Sequence, residues 1–231
     1  MTFISRRDLL KRAAAVGGAA VVPASLVPGA VLEQAPAVVP PAVRREPLEN
    51  LTAAEADILE AVVARLIPTD ANGPGATEAR AAHYIDRALG GALSSSRPAY
   101  TAGLAALDRY AHASRGKAFT AMSAADQDAL LAEVEAGTAT GFTGSSTAFF
   151  SLVLNHTLQG TFGDPYYGGN ANFVGWDLVG YPGVRTMVTA SEQQQLEKHT
   201  LKPARKSAYD HDAFTKASAR NESRGPRAEG A

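Results

Sequence analysis

The sequence predicts an all-α protein, a compact bundle of about five to six helices that carries one long glycine- and aromatic-rich loop. Three observations support this class. Of 231 residues 45% are hydrophobic but only 7% aromatic, and much of the apolar share is alanine, the strongest helix former. Through most of residues 51–160, apolar side chains recur three and four positions apart between capping signals. No stretch alternates apolar and polar residues between turns as a half-buried strand would.

The elements follow in order. Thr52-Ala53-Ala54-Glu55 is a capping box, in which hydroxyl and carboxylate satisfy the first helical amides. Ile58, Leu59, Val62, Val63, Leu66 and Ile67 then fall on one face, and Pro68 stops the helix. Residues 70–75 form a turn. A second helix is expected over residues 77–89, with Ala81, Tyr84, Ile85 and Ala88 on one side. Ser95 or Ser96 caps a third, tolerating Pro98 in its first turn and burying Tyr100, Leu104, Leu107 and Ala111 before Gly116 ends it. Ser123 caps a fourth, with Asp126 at the box position, Leu130, Leu131 and Val134 inward, and Gly137 closing it. A fifth spans residues 146–158 with Phe149, Phe150, Val153, Leu154 and Leu158, and a short sixth covers residues 191–199.

The ends differ from this body. Ser5-Arg6-Arg7-Asp8-Leu9-Leu10-Lys11-Arg12 precedes a mild Ala/Gly-rich stretch, the pattern of a twin-arginine export leader with Arg6 and Arg7 as its pair. Gly17, Gly18, Pro23 and Pro28 would make that stretch a poor membrane-spanning helix. Residues 1–37 are the expected signal region, with cleavage open between sites ending at Ala24 and Ala37. Residues 38–47 form a Pro-rich linker, 48–199 the helical domain, and 200–231 a polar tail expected to be disordered, at least beyond Phe214. The leader's expected destination is the periplasm or the outer face of the cytoplasmic membrane. Twin-arginine export carries folded proteins, so the chain either binds a cofactor or travels with a partner that does.

Charge and composition exclude several functions. Residues 47–199 hold nine basic and 16 acidic side chains, a net −7 that gives nucleic-acid phosphates no basic surface. The absence of cysteine excludes disulfides, thiolate metal sites, covalent haem attachment and a cysteine nucleophile.

Residues 160–183 break the helical pattern. Seven of these 24 residues are glycine, and six of the chain's 16 aromatics fall here, including Trp176. Glycine allows close backbone approach, while tryptophan and tyrosine supply wide contact area with a polar end. A surface that contacts a partner is the favoured reading, with Phe162, Asp164, Tyr166, Tyr167, Asn170, Trp176 and Tyr181 as the contact candidates. A loop packed on itself and a pocket using Asp164, Asn170, Asn172 and Asp177 stay open beside it.

The run Phe162-Gly-Asp-Pro-Tyr-Tyr-Gly-Gly-Asn170, continued by Gly175-Trp-Asp-Leu-Val-Gly-Tyr-Pro-Gly183, resembles the signature of the gluconate 2-dehydrogenase subunit 3 family. Residues 51–70, His83-Tyr84-Ile85-Asp86 and His156-Thr157-Leu158-Gln159-Gly160 are similar to it in order and spacing. The resemblance covers about residues 48–190. It implies a small, non-catalytic subunit of a periplasmic sugar, sugar-acid or polyol dehydrogenase. It further implies a large flavoprotein partner of the glucose–methanol–choline type holding FAD, and a cytochrome c that takes the electrons. The small subunit would bring its signal-less partner to the twin-arginine translocase.

The residues themselves offer no active site of a familiar kind. No GxGxxG follows a strand, and no P-loop, HExxH or GxSxG occurs. His83 and Asp86 lie at i, i+3 and, with His156, form the alternative: a metal site in an autonomous secreted protein or enzyme. The favoured reading is a helix-surface His83 bonded to Asp86, with no catalytic, cofactor or metal residue in this chain.

Overall fold

The computed structural model describes residues 48–212. Arg6, Arg7, the leader to residue 37, the linker 38–47 and the tail beyond 212 lie outside them. Among the described residues seven α-helices follow one another: α1 (Ala53–Leu66), α2 (Ala81–Leu89), α3 (Arg97–Arg115), α4 (Ala124–Glu135), α5 (Ser146–Phe162), α6 (Val174–Leu178) and α7 (Ala190–Glu197). Among the described residues there is no strand beyond a single bridge between Asp70 and Gly73. Nor is any helix there long and apolar enough to cross a membrane.

Local sequence sets most helix starts. Thr52 and Glu55 make both halves of the capping box on α1, and Ser123 and Ser145 accept amides on α4 and α5. Two starts depart from expectation. The second helix begins at Ala81 rather than 77, because Arg80 adopts φ 60° and residues 76–80 wrap into a turn held by Ala76 N–H on Ile67 O. At α3 neither Ser95 nor Ser96 caps with its side chain; a 3₁₀ turn, Ser94–Ser96, feeds the helix instead.

Helix α5 is the spine. It packs most extensively on α2 and also meets α1, α3, α4 and α6. The expected end at residue 158 is exceeded because Gly160 is a packing gap and not a stop. A Cβ there would stand 2.9 Å from the Ala81 Cα and 2.9 Å from the Tyr84 ring. Only glycine lets α2 approach that closely. Leu59, Ile85, Tyr100, Leu104, Leu107, Phe119, Leu130 and Val134 are fully buried around this spine.

The first described residues are clamped to that core. The Asp86 carboxylate, 0% exposed, accepts amides from Glu49 (2.8 Å), Asn50 (3.0 Å) and Leu51 (2.7 Å). Beside it Arg97 grips Glu55 with two 2.9 Å bonds. Burial pushes the Glu55 carboxyl up, but Arg97 and the Thr52 amide and hydroxyl outweigh it and hold it at about 2.

Candidate functional site

The aromatic segment is not one irregular loop. Its first residues complete α5, then two 3₁₀ turns, Pro165–Tyr167 and Ala171–Phe173, lead into α6. Asn170 staples the fold together. Its amide donates to Gly160 O at 2.6 Å, its side chain donates to Gly163 O at 2.8 Å, and its Oδ1 accepts from the Gly175 amide at 2.8 Å. A Cβ on Gly175 would overlap the Thr161 carbonyl oxygen, so glycine is what seats α6 on the end of α5. Trp176 donates its indole N–H to Phe162 O at 2.9 Å and is 6% exposed. Asn170, Asn172 and Phe173 carry φ of 44°, 55° and 63°, left-handed values that asparagine tolerates and that strain phenylalanine. The backbone is held in this shape by its surroundings.

Outside this scaffold lies an aromatic face. Phe162, Trp176, Val179 and Tyr181 line an open pocket of about 240 Å³. Trp176 meets Tyr181 edge-on at 4.9 Å and Phe173 at 5.4 Å between ring centroids. A tyrosine cluster forms a second patch: Tyr166 stacks on Tyr209 at 4.0 Å, and the Tyr167 and Tyr209 hydroxyls are 2.8 Å apart. That hydrogen bond raises the Tyr209 hydroxyl above the usual phenol range.

Tyr209 comes from the segment expected to be a tail. Residues 200–212 instead return across the loop as a strap. Ala204 N–H donates to Pro182 O at 2.9 Å, Ala208 N–H to Asp164 Oδ2 at 2.8 Å, and Arg205 pairs with Asp177 at 2.6 Å. Ser207 is buried and forms a capping box with Asp210. Described, hydrogen-bonded backbone therefore continues from residue 200 to residue 212.

The structure divides the seven contact candidates. Tyr166, Tyr167 and Tyr181 are exposed at 57%, 49% and 39%, and Phe162 is half-buried in the pocket wall. Asn170 has no exposed surface and Trp176 little, so their surface is spent inside the chain. Asp164 caps a 3₁₀ turn through Tyr166 N–H and ties down the strap. Val179, 60% exposed, and Tyr209, 41% exposed, lie on this surface beside them, Val179 from inside the aromatic segment and Tyr209 from the strap.

The alternative trio does not assemble. Among the described residues no three His, Asp or Glu side chains converge as metal ligands. Asp86 is the amide anchor described above. His156 is buried beneath Tyr100, its Nδ1 3.0 Å from the Tyr100 hydroxyl and the rings stacked at 5.8 Å. Burial lowers the His156 pKa below its ordinary value of 6.5 and raises Tyr100 well above the phenol range, so a neutral imidazole and a neutral phenol share this hydrogen bond. A histidine depressed by folding contributes stability that is complete above pH 6.5 and lost as pH falls through the folded value. Thermal melts between neutral and mildly acidic pH should thus show an acid-labile component that His156→Gln reduces.

Residues 53–183 match the family described as gluconate 2-dehydrogenase subunit 3. No curated protein and no solved structure shows significant similarity to the chain. The matched stretch runs from the first residue of α1 through the aromatic segment to Gly183, more than half of the sequence, and stops before α7 and the strap. The fold, the aromatic segment and this match together place the chain in the gluconate 2-dehydrogenase subunit 3 family.

Proposed function

We propose that this chain is the non-catalytic small subunit of a periplasmic or membrane-associated dehydrogenase of sugars, sugar acids or polyols. It docks on a large flavoprotein subunit of the glucose–methanol–choline type and carries it to the twin-arginine translocase. FAD belongs to that partner, and a cytochrome c accepts the electrons. The observation that carries the reading is where the apolar surface lies. Of nine large hydrophobic side chains exposed among the described residues, eight lie between Tyr166 and Tyr209. Five of them fall into two patches, Tyr166, Tyr167 and Tyr209 in the tyrosine cluster and Val179 and Tyr181 at the pocket. Exposed apolar side chains gathered in patches mark an interaction site, whereas singly scattered ones need no explanation. Tyrosines over a strained, hydrogen-bonded scaffold offer wide contact area at low entropic cost. The pocket of about 240 Å³ falls below the roughly 300–1,000 Å³ of ordinary ligand sites, which favours a partner side chain over a dinucleotide.

The export role is tested by replacing Arg6 and Arg7 with lysine in cells that express both subunits. Periplasmic flavin and dye-linked dehydrogenase activity should fall to background while both polypeptides accumulate in the cytoplasm. Equal export of the flavoprotein in cells lacking this chain would reject the escort role.

A further inference from the structure

The strap adds charge to the aromatic face. Residues 198–206 contain Lys198, Lys202, Arg205 and Lys206 and no acid, whereas the family-matched residues 53–183 hold seven basic and 13 acidic side chains, a net −6. All four cations are exposed. Arg205 fixes their position, because its bond to Asp177 sets the strap beside Trp176 and the pocket, while Tyr209 of the same strap joins the tyrosine cluster. Lys198 follows α7, where a cation suits the helix dipole. Lys202 and Lys206 have no such local role, and neither enters an ion pair among the described residues.

Four of the neighbouring acids are already engaged. Asp177 holds Arg205, Asp164 accepts the Tyr166 and Ala208 amides, Asp210 caps Ser207, and Glu192 pairs with Arg185. Lys202 and Lys206 therefore extend from a face on which most of the negative charge is already engaged, Asp212 at the end of the strap being an exposed acid outside these bonds.

We infer that Lys202 and Lys206, positioned by the Arg205–Asp177 pair, form a cationic rim to the aromatic face that fits an acidic surface on the dehydrogenase's large subunit. The inference rests on the docking role proposed above and adds the partner's chemistry. Aromatic contacts supply apolar burial, and the rim sets orientation and encounter rate against an acidic patch. On a domain whose family core is acidic, a local positive rim is the feature that lets it approach an acidic partner without repulsion. A lipid surface fits less well. Helix α7, beside the exposed Met187 and Val188, reads Ala-Ser-Glu-Gln-Gln-Gln-Leu-Glu and has no apolar face for a bilayer.

The test titrates the purified large flavoprotein subunit with the full chain, with Lys202→Glu/Lys206→Glu, and with Lys202→Arg/Lys206→Arg. Titrations are run at about 0.05 and 0.5 M NaCl, spanning strong to weak charge interaction. Charge reversal should weaken binding about tenfold at low salt and flatten the salt dependence, while the arginine variant retains both. Thermal melts should be alike for all three, since both lysines are exposed. Unchanged affinity and salt dependence in the reversal variant would overturn the cationic rim and leave the docking role standing. Failure of the unaltered chain to bind would overturn both. Retention of the unaltered chain on vesicles of phosphatidylglycerol and phosphatidylcholine, lost on charge reversal while flavoprotein binding persists, would overturn the rim in favour of a lipid surface.

Discussion

Asp86→Ala is expected to be among the most destabilising single substitutions in the domain. The carboxylate is fully buried and accepts three consecutive amides, those of Glu49, Asn50 and Leu51. The Asn50 side chain returns a bond to the Asp86 carbonyl at 2.7 Å. Alanine would leave the buried Leu51 N–H without a partner and break the part-buried bonds to the Glu49 and Asn50 amides at the edge of the core. Each of these losses costs about 1–3 kcal/mol, partly offset by removing a buried charge, so a net loss of about 3–5 kcal/mol is expected. For a domain of this size that corresponds to a fall of about 10 °C in Tm. Asp86→Asn, which keeps one acceptor oxygen, should fall between. The loss should also loosen Leu51, which is 7% exposed and belongs to the core, and the entry to α1 with it.

Much of this fold is legible in the sequence where the signal is local. The capping box Thr52/Glu55 and the cap Ser123 fix helix starts because side chain and amide sit within one turn. The start of α2 is not legible, because alanine-rich residues 76–82 favour helix, while tertiary bonds of Ala76 N–H to Ile67 O and Ala171 N–H to Ala79 O hold residues 76–80 in a turn. Gly160 reads as a helix breaker but acts as a contact surface, a distinction set by Ala81 on another helix. His83 and Asp86 look like a pair at i, i+3, whereas the bonds that define Asp86 reach 35 to 37 residues back. The strap escaped notice because it lacks aliphatic residues after Leu201. Main-chain bonds and tyrosine stacking hold it instead. The aromatic segment is legible as a change of composition at the end of α5, but that composition does not say which rings face out and which, like Trp176, hold the scaffold.

The second large effect concerns docking. Val179 is 60% exposed and Tyr181 39%, on the rim of a pocket whose floor, Trp176, is fixed by its bond to Phe162 O. Neither rim side chain is part of the buried core, so Val179→Asp/Tyr181→Ala should barely move the melting temperature. In a complex that covers this face, the aspartate would be a charge without a partner in an apolar contact, and the missing ring would leave a void. Central interface residues of this kind cost 2 kcal/mol or more when truncated, and an unpaired buried charge costs several, so the pair should weaken binding about a hundredfold.

A titration of the large flavoprotein subunit with the unaltered chain and with this double variant tests the central claim most directly. The predicted result is saturable binding by the unaltered chain and a loss of about two orders of magnitude in affinity for the variant, with matching melts. Equal affinity for the two chains would contradict the claim that the aromatic face is where this subunit meets its dehydrogenase.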